Sequence, residues 1–214
     1  MFPSFPTKAM SVNSHIFRAV VLSFLGWVGC EGAKGAVLWS ELQDGDLPGD
    51  FTAPRILTAT AGENIISGRI GQTGNLGATN GSDADYLTIV VPEGLEIVSI
   101  TAANFSFSGT GNPGGGSFLA YREGFSFPGQ GFGDIDGYVI FTADSGNLLP
   151  GLRQDAFGVG GDRTLGAGEH AFWLQETNPT VVEYALALEV IPEPSSTGLL
   201  GLGLAIVLGL RRRP

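Results

Sequence analysis

From Tyr86 onward the chain alternates apolar and polar side chains with a period of two, the signature of a strand buried on one face. Leu87, Ile89 and Val91 fall on one side and Tyr86, Thr88 and Val90 on the other, until Pro92-Glu93-Gly94 breaks the run. Leu95–Phe107 is a longer extended stretch, with Ile97, Ser99 and Thr101 expected on one face and Val98, Ile100 and Ala102 on the other. Phe118–Tyr121 and Tyr138–Thr142 read as short strands flanking a Phe/Gly-rich loop, Gly124–Gly133; Asn112–Gly116 is a loop by composition. Ala171–Gln175 and Val182–Val190 read as a hairpin closed by Glu176–Thr180, where Asn178-Pro179 marks a turn. In its second arm Tyr184, Leu186, Leu188 and Val190 point inward, and Glu183, Ala185, Ala187 and Glu189 toward solvent. No stretch between 36 and 190 combines helical periodicity with adequate length. Short strands at this spacing predict an all-β body, a β-sandwich of jelly-roll-like type.

Both ends depart from this pattern. Lys8, His15 and Arg18 precede an apolar core, Ala19–Val28, with small residues after it, which reads as a signal peptide over residues 1–35. Cleavage after Gly35 or after Gly32 satisfies the small-residue rule. At the other end come Pro192-Glu193-Pro194, an apolar run Thr197–Leu210, and Arg211-Arg212-Arg213. As a helix the run spans roughly 21 Å, against about 30 Å for a bilayer core, and its four glycines weaken it further. It is marginal as a permanent anchor but adequate as a segment held in the membrane until it is cut, with the arginines on the cytoplasmic side. This tail closely resembles the PEP-CTERM sorting signal of Gram-negative bacteria. The resemblance implies recognition by exosortase, transient anchoring through the C-terminal segment as a short hydrophobic helix, and delivery to the outer surface or extracellular matrix. The chain thus divides into a signal peptide (1–35), a sandwich (36–190) and a sorting signal (191–214).

Charge and chemistry narrow the body's role. Residues 36–190 hold 19 acidic and five basic side chains and no Lys, which excludes a basic nucleic-acid footprint. The one cysteine, Cys30, lies in the leader, so no disulfide braces the body. His170 is the one histidine outside the leader, too few for the usual zinc ligand sets; with no nucleophile-elbow motif nearby it reads as structural. The carboxylates remain. Asp83 and Asp85, with Asn80 and Ser82 nearby, present oxygens at i, i+2 spacing that suit Ca²⁺. Asp44, Asp46 and Asp50 form a second acidic group and Asp134 and Asp136 a third, though Asp also serves simply to cap turns. None of the groups matches an EF-hand loop.

The run Gly81-Ser82-Asp83-Ala84-Asp85-Tyr86-Leu87-Thr88-Ile89-Val90-Val91-Pro92-Glu93-Gly94 is an acidic turn feeding an aromatic strand that ends at a Pro/Gly turn. With Leu165–Gln175 and the acidic opening Glu41–Asp50, it is similar to the bacterial pre-peptidase C-terminal type of β-sandwich domain. That resemblance implies a secreted accessory or adhesion module without catalysis, and some related domains bind calcium. The expectation is therefore a non-enzymatic exported protein of the cell surface or matrix, structural or adhesive in exopolysaccharide or biofilm. Phe125, Phe127 and Phe132 could stack on sugar rings, which makes a carbohydrate-binding module for exopolysaccharide the alternative. A small polysaccharide-active enzyme using two carboxylates is a third reading.

Overall fold

Among the described residues, nine strands in two stacked sheets realise the alternation of the sequence. The computed structural model describes residues 35–71, 83–109, 116–152, 164–176 and 180–193. The expected signal peptide, up to residue 34, with Pro194, the apolar run and Arg211–Arg213, lies outside the described residues. In chain order the strands are β1 (Ala36–Ser40), β2 (Arg55–Thr58), β3 (Gly62–Gly71), β4 (Ala84–Val91), β5 (Leu95–Gly109), β6 (Ser117–Glu123), β7 (Gly137–Phe141), β8 (Gly168–Gln175) and β9 (Thr180–Pro192). Two single-turn helices, α1 (Glu41–Asp44) and α2 (Leu149–Leu152), and a 3₁₀ turn (Phe132–Asp134) complete them.

One sheet runs β1-β3-β9-β5 and the other β2-β4-β8-β6-β7. The β1–β3 and β2–β4 pairs are parallel and all others antiparallel. Between the sheets lie Ile66 and Ile70 of β3, Leu87 and Ile89 of β4, Phe172 and Leu174 of β8, and Tyr184, Leu186 and Leu188 of β9, all buried. An all-β sandwich is what the alternation called for, and without a disulfide this apolar core carries the stability.

Four details differ from the sequence reading. β8 and β9 do not form a hairpin: β8 pairs with β4 and β6, and β9 with β3 and β5, in the opposite sheet. Each has a strongly apolar inner face, and the two faces meet across the core instead of lying edge to edge. In β5, register shifts between Ile97 and Ser99 and between Ala102 and Asn104 break strict alternation. Each bulge absorbs one residue, so Ile97 and Ile100 are both buried while Ala102 and Phe105 pack against the same core. Ala187 lies on the outer face as expected but is only 8% exposed, because its small side chain sits low between Ile65 and Thr101 of the flanking strands. Finally, β9 continues through Ile191 and Pro192, two residues past the body boundary read from the sequence.

The outer face of the β2–β7 sheet has its own apolar cluster of Tyr86, Ala120, Phe127, Ala171 and Trp173. Trp173 stacks on Tyr86 at 5.6 Å between ring centroids and meets Phe118 edge-on at 5.0 Å. The segment after β6 closes over it: Gln130 Nε2 donates to Tyr86 Oη at 2.7 Å, and Thr88 Oγ1 donates to the Phe125 carbonyl.

Candidate functional site

Four acidic residues from two segments of the chain, Glu41 and Asp46 from the opening segment and Asp83 and Asp85 from the start of β4, converge at one corner of the sandwich. The short α1 turn that follows Ser40 brings Glu41 back toward β3, where its Oε2 accepts from the Arg69 amide at 2.8 Å and its Oε1 from the Leu47 amide at 3.3 Å. Asp46 follows in the same opening segment. Asp85 enters from β4, in the other sheet, and its Oδ2 accepts from Tyr184 Oη of β9 at 2.6 Å. Carboxylate oxygens of Glu41, Asp46 and Asp85 all lie within 4.8 Å of one another. Gly68 makes room for them: a Cβ there would sit 2.6 Å from the Glu41 carboxyl carbon and 2.9 Å from the Tyr184 hydroxyl. Asp83, beside the group, is fixed by its amide bond to the Gly71 carbonyl at 2.9 Å.

These carboxyls are underpaired. Asp85 is fully buried with Oδ1 unpartnered, and Asp83 is 1% exposed with neither oxygen hydrogen-bonded. Burial, then the charges of Asp46 and Glu41, pushes Asp83 up to about 8; the Ala84 amide is near enough to soften the shift without bonding geometry. Glu41 is raised to about 7, chiefly by burial, against which the Arg69 and Leu47 amides act. Burial raises Asp46 above its usual range, partly offset by its hydrogen bond with Glu41. Asp85 stands well above the carboxylate range, by burial first and the Glu41 charge second, with Tyr184 opposing. No positive charge figures among the groups that shift them; the Arg69 guanidinium instead pairs with exposed Glu183 at 2.7 Å.

A hard cation would answer this imbalance. Two oxygens on opposite sides of a calcium ion lie roughly 4.6–5.2 Å apart, so oxygens within 4.8 Å of one another are near enough for one ion to reach all three carboxylates; magnesium, with bonds of about 2.0–2.1 Å and near-octahedral geometry, is the more demanding ion. A cleft of about 570 Å³, lined among others by Glu41, Asp46, Gly68 and Tyr184, opens onto the corner.

The other site residues read from the sequence fall elsewhere. Asp83 and Asp85 do not share a ligand turn: Asp85 is a strand residue facing Glu41 and Asp46, while Asn80 and Ser82 lie outside the described residues. Asp44, Asp50, Asp134 and Asp136 accept from the amides of Ser40, Thr52, Gly131 and Glu123, so each holds a turn or neighbouring strand end. Phe127 is 1% exposed, packed on Tyr86 and Trp173, and cannot meet a sugar; the closure of its loop over the outer cluster buries it. Phe125 (41%) and Phe132 (77%) remain exposed. Phe132 lies 5.5 Å from the ring of Tyr138, an exposed aromatic of β7 not singled out from the sequence. His170 is structural: it is buried, with Nε2 against the Gly166 carbonyl at 2.8 Å and Nδ1 against Tyr121 Oη at 3.1 Å.

At the opposite end of β9, Pro192 pairs with Leu95 and the Glu193 amide donates to the Gly94 carbonyl at 2.8 Å. Residues 190–213 match the family described as the PEP-CTERM protein-sorting motif. The chain carries an exosortase sorting signal. It is thus an exported protein whose PEP-CTERM motif is processed by exosortase. Comparison with curated proteins and with solved structures returned no match. Among the described residues no helix is long and apolar enough to cross a membrane.

Proposed function

We propose that this exosortase substrate is a non-enzymatic structural or adhesive module of the cell surface or extracellular matrix, and that a calcium ion clasps its two sheets. The observation that carries the calcium is the buried, unpartnered Asp85 Oδ1 within a group of three carboxylates. Glu41 and Asp46 belong to the opening segment, Asp85 to one sheet, and Tyr184 and Gly68 to the other. An ion there ties all three together, so the module stays folded outside the cell in the absence of disulfides. The carboxylates that meet are held by backbone amides and a buried tyrosine, an arrangement that supports holding a fold more than turning over a substrate.

Sorting fixes the route. Before processing, the tail holds the chain transiently in the membrane; after it, the body is released to the outer surface of a Gram-negative cell. In a host with exosortase, intact-mass measurement of the extracellular form should show a cut near Pro192–Ser196 and the loss of Thr197–Pro214. Recovery of the full chain with its tail would sink this reading.

A second reading, binding of exopolysaccharide, is favoured by the exposed Phe132–Tyr138 pair at the β7 edge, since sugar rings stack on exposed aromatic faces and a neutral polymer is not repelled by an acidic body. The double change Phe132→Ala, Tyr138→Ala should abolish retardation in polysaccharide affinity gels while leaving the melting temperature within about 2 °C. Equal migration of parent and variant in every polymer would remove it.

A further inference from the structure

The sorting motif and the sandwich overlap. The matched motif begins at Val190, which is 1% exposed and paired with Gly62 on one side and Ile97 on the other. Ile191 pairs with Glu96, Pro192 with Leu95, and the Glu193 amide bonds the Gly94 carbonyl in the turn between β4 and β5. Proline is tolerated at the end of this central strand because β3 begins at Gly62, opposite Val190, and offers Pro192 no partner. Gly94 holds φ at +78°, a value that glycine adopts without strain, and so aims its carbonyl at Glu193. Only Pro194, Ser195 and Ser196 separate Glu193 from the apolar run at Thr197, a reach of about 14 Å fully extended. A peptidase acting at the membrane therefore has little slack with which to draw the motif away from the body.

We infer that the folded sandwich latches its own sorting motif, and that exosortase cuts from the fraction of molecules in which the end of β9, Ile191–Glu193, has detached from Gly94–Glu96. This rests on the exosortase processing described above. A groove that takes an extended segment engages its main-chain groups, and the Glu193 amide and the Ile191 backbone are already committed to β5. Peptidase and sheet compete for the same atoms. When opening and closing are fast, cleavage follows the open population. Strand ends open more easily than strand centres, and Pro192 and Glu193 are exposed, so opening does not require unfolding of the core. The latch lets a folded body remain tethered for a time set by the end of β9, and makes processing sensitive to the β4–β5 turn, a part of the chain distant in sequence from the cut.

The test inserts Gly-Ser-Gly-Ser between Ile191 and Pro192, so that spacer residues take the places of Pro192 and Glu193 at the sheet end and the intact motif is carried clear of it. A control places the same four residues between Ala143 and Asp144, an exposed turn far along the chain from β9. Precursor loss is followed by pulse-chase in a host with exosortase, and urea midpoints show that both variants are folded. The motif spacer should speed processing between about two- and tenfold, the equilibrium worth of one ordinary hydrogen bond, and the turn insertion should leave the rate unchanged. Processing of the motif-spacer variant at the parent rate, or more slowly, overturns the latch while leaving the sorting reading intact. A parent chain that is never cut overturns both.

Discussion

Calcium at millimolar concentration is expected to raise the melting temperature of the leaderless, tail-free body by about 5–10 °C over the same protein in chelator. Binding to the folded state alone stabilises by RT ln(1 + [L]/Kd), about 2.7 kcal/mol when the free ion is about 100 times Kd, and each kcal/mol moves the midpoint of a domain this size by about 2–4 °C. Magnesium should give less, because it demands near-octahedral geometry and parts reluctantly with water. In chelator the pH dependence has a definite sign. Glu41 is raised from 4.5 to about 7 and Asp83 from 3.8 to about 8 in the folded state, so the folded protein keeps protons that the unfolded chain has lost. The stability this contributes is complete below about pH 4 and is lost as pH rises through 7 to 8. Calcium binds the ionised carboxylates and should flatten that decline. Asp85→Asn keeps an acceptor for Tyr184 but removes one carboxylate from the group of three. It should abolish the calcium response and, at pH 8 in chelator, be at least as stable as the parent. Identical melts in calcium and chelator, or an Asp85→Asn variant that still responds, would refute the site.

How much of this was legible in the sequence depends on what each segment's pattern could carry. β4, β8 and β9 were readable because apolar residues fill consecutive inner positions along most of each strand, Leu87, Ile89 and Val91 in β4, Phe172 and Leu174 in β8, and Val182 to Val190 in β9, with Asp85 and His170 only at the edges of the first two runs. β3 was not, since its inward positions are Asn64, Ile66, Gly68 and Ile70, and two of the four break the apolar pattern. Asn64 is buried yet satisfied, its amide donating to the Thr60 and Gly62 carbonyls at 2.7 and 2.9 Å, and Gly68 is there to leave space for Glu41. Strand pairing was beyond reach, because periodicity reports which face is buried and not which neighbour covers the edge. For the same reason the acidic group was seen only as separate turns. Asp83 and Asp85 drew notice by spacing, but Glu41 and Asp46 join Asp85 only through the crossing of β3 and β4 into different sheets. The one sequence signal for that meeting was the glycine at position 68, meaningful only once its neighbours are known. The sorting motif, by contrast, is read linearly by its enzyme, and for that reason it was visible from the residues alone.

Leu186→Asp should leave the body unfolded or insoluble. Leu186 is 3% exposed in the centre of β9, between Ile66 of β3 and Ala102 of β5, with its side chain in the main core. A charge placed there has no partner, and an uncompensated buried charge costs about 3–5 kcal/mol where domains hold only about 5–15 kcal/mol in total. With no disulfide to limit the unfolded chain, little else resists. Ala185→Asp, one residue earlier, puts the same charge on the outer face, opposite Ser67 and Asn104, and should cost under about 1 kcal/mol, as surface substitutions usually do. Ala187→Asp is expected to fall between the two, since Ala187 faces outward but is 8% exposed and has Glu63 and Glu189 lining the same outer groove; like charges and partial burial both act against it. Because a shift of one residue moves a side chain from core to surface, the order Leu186→Asp, Ala187→Asp, Ala185→Asp in urea midpoint, lowest first, reads the register of β9 directly. Equal midpoints for Leu186→Asp and Ala185→Asp would mean that β9 does not present Leu186 to the core, and the central strand of its sheet would have to be reassigned.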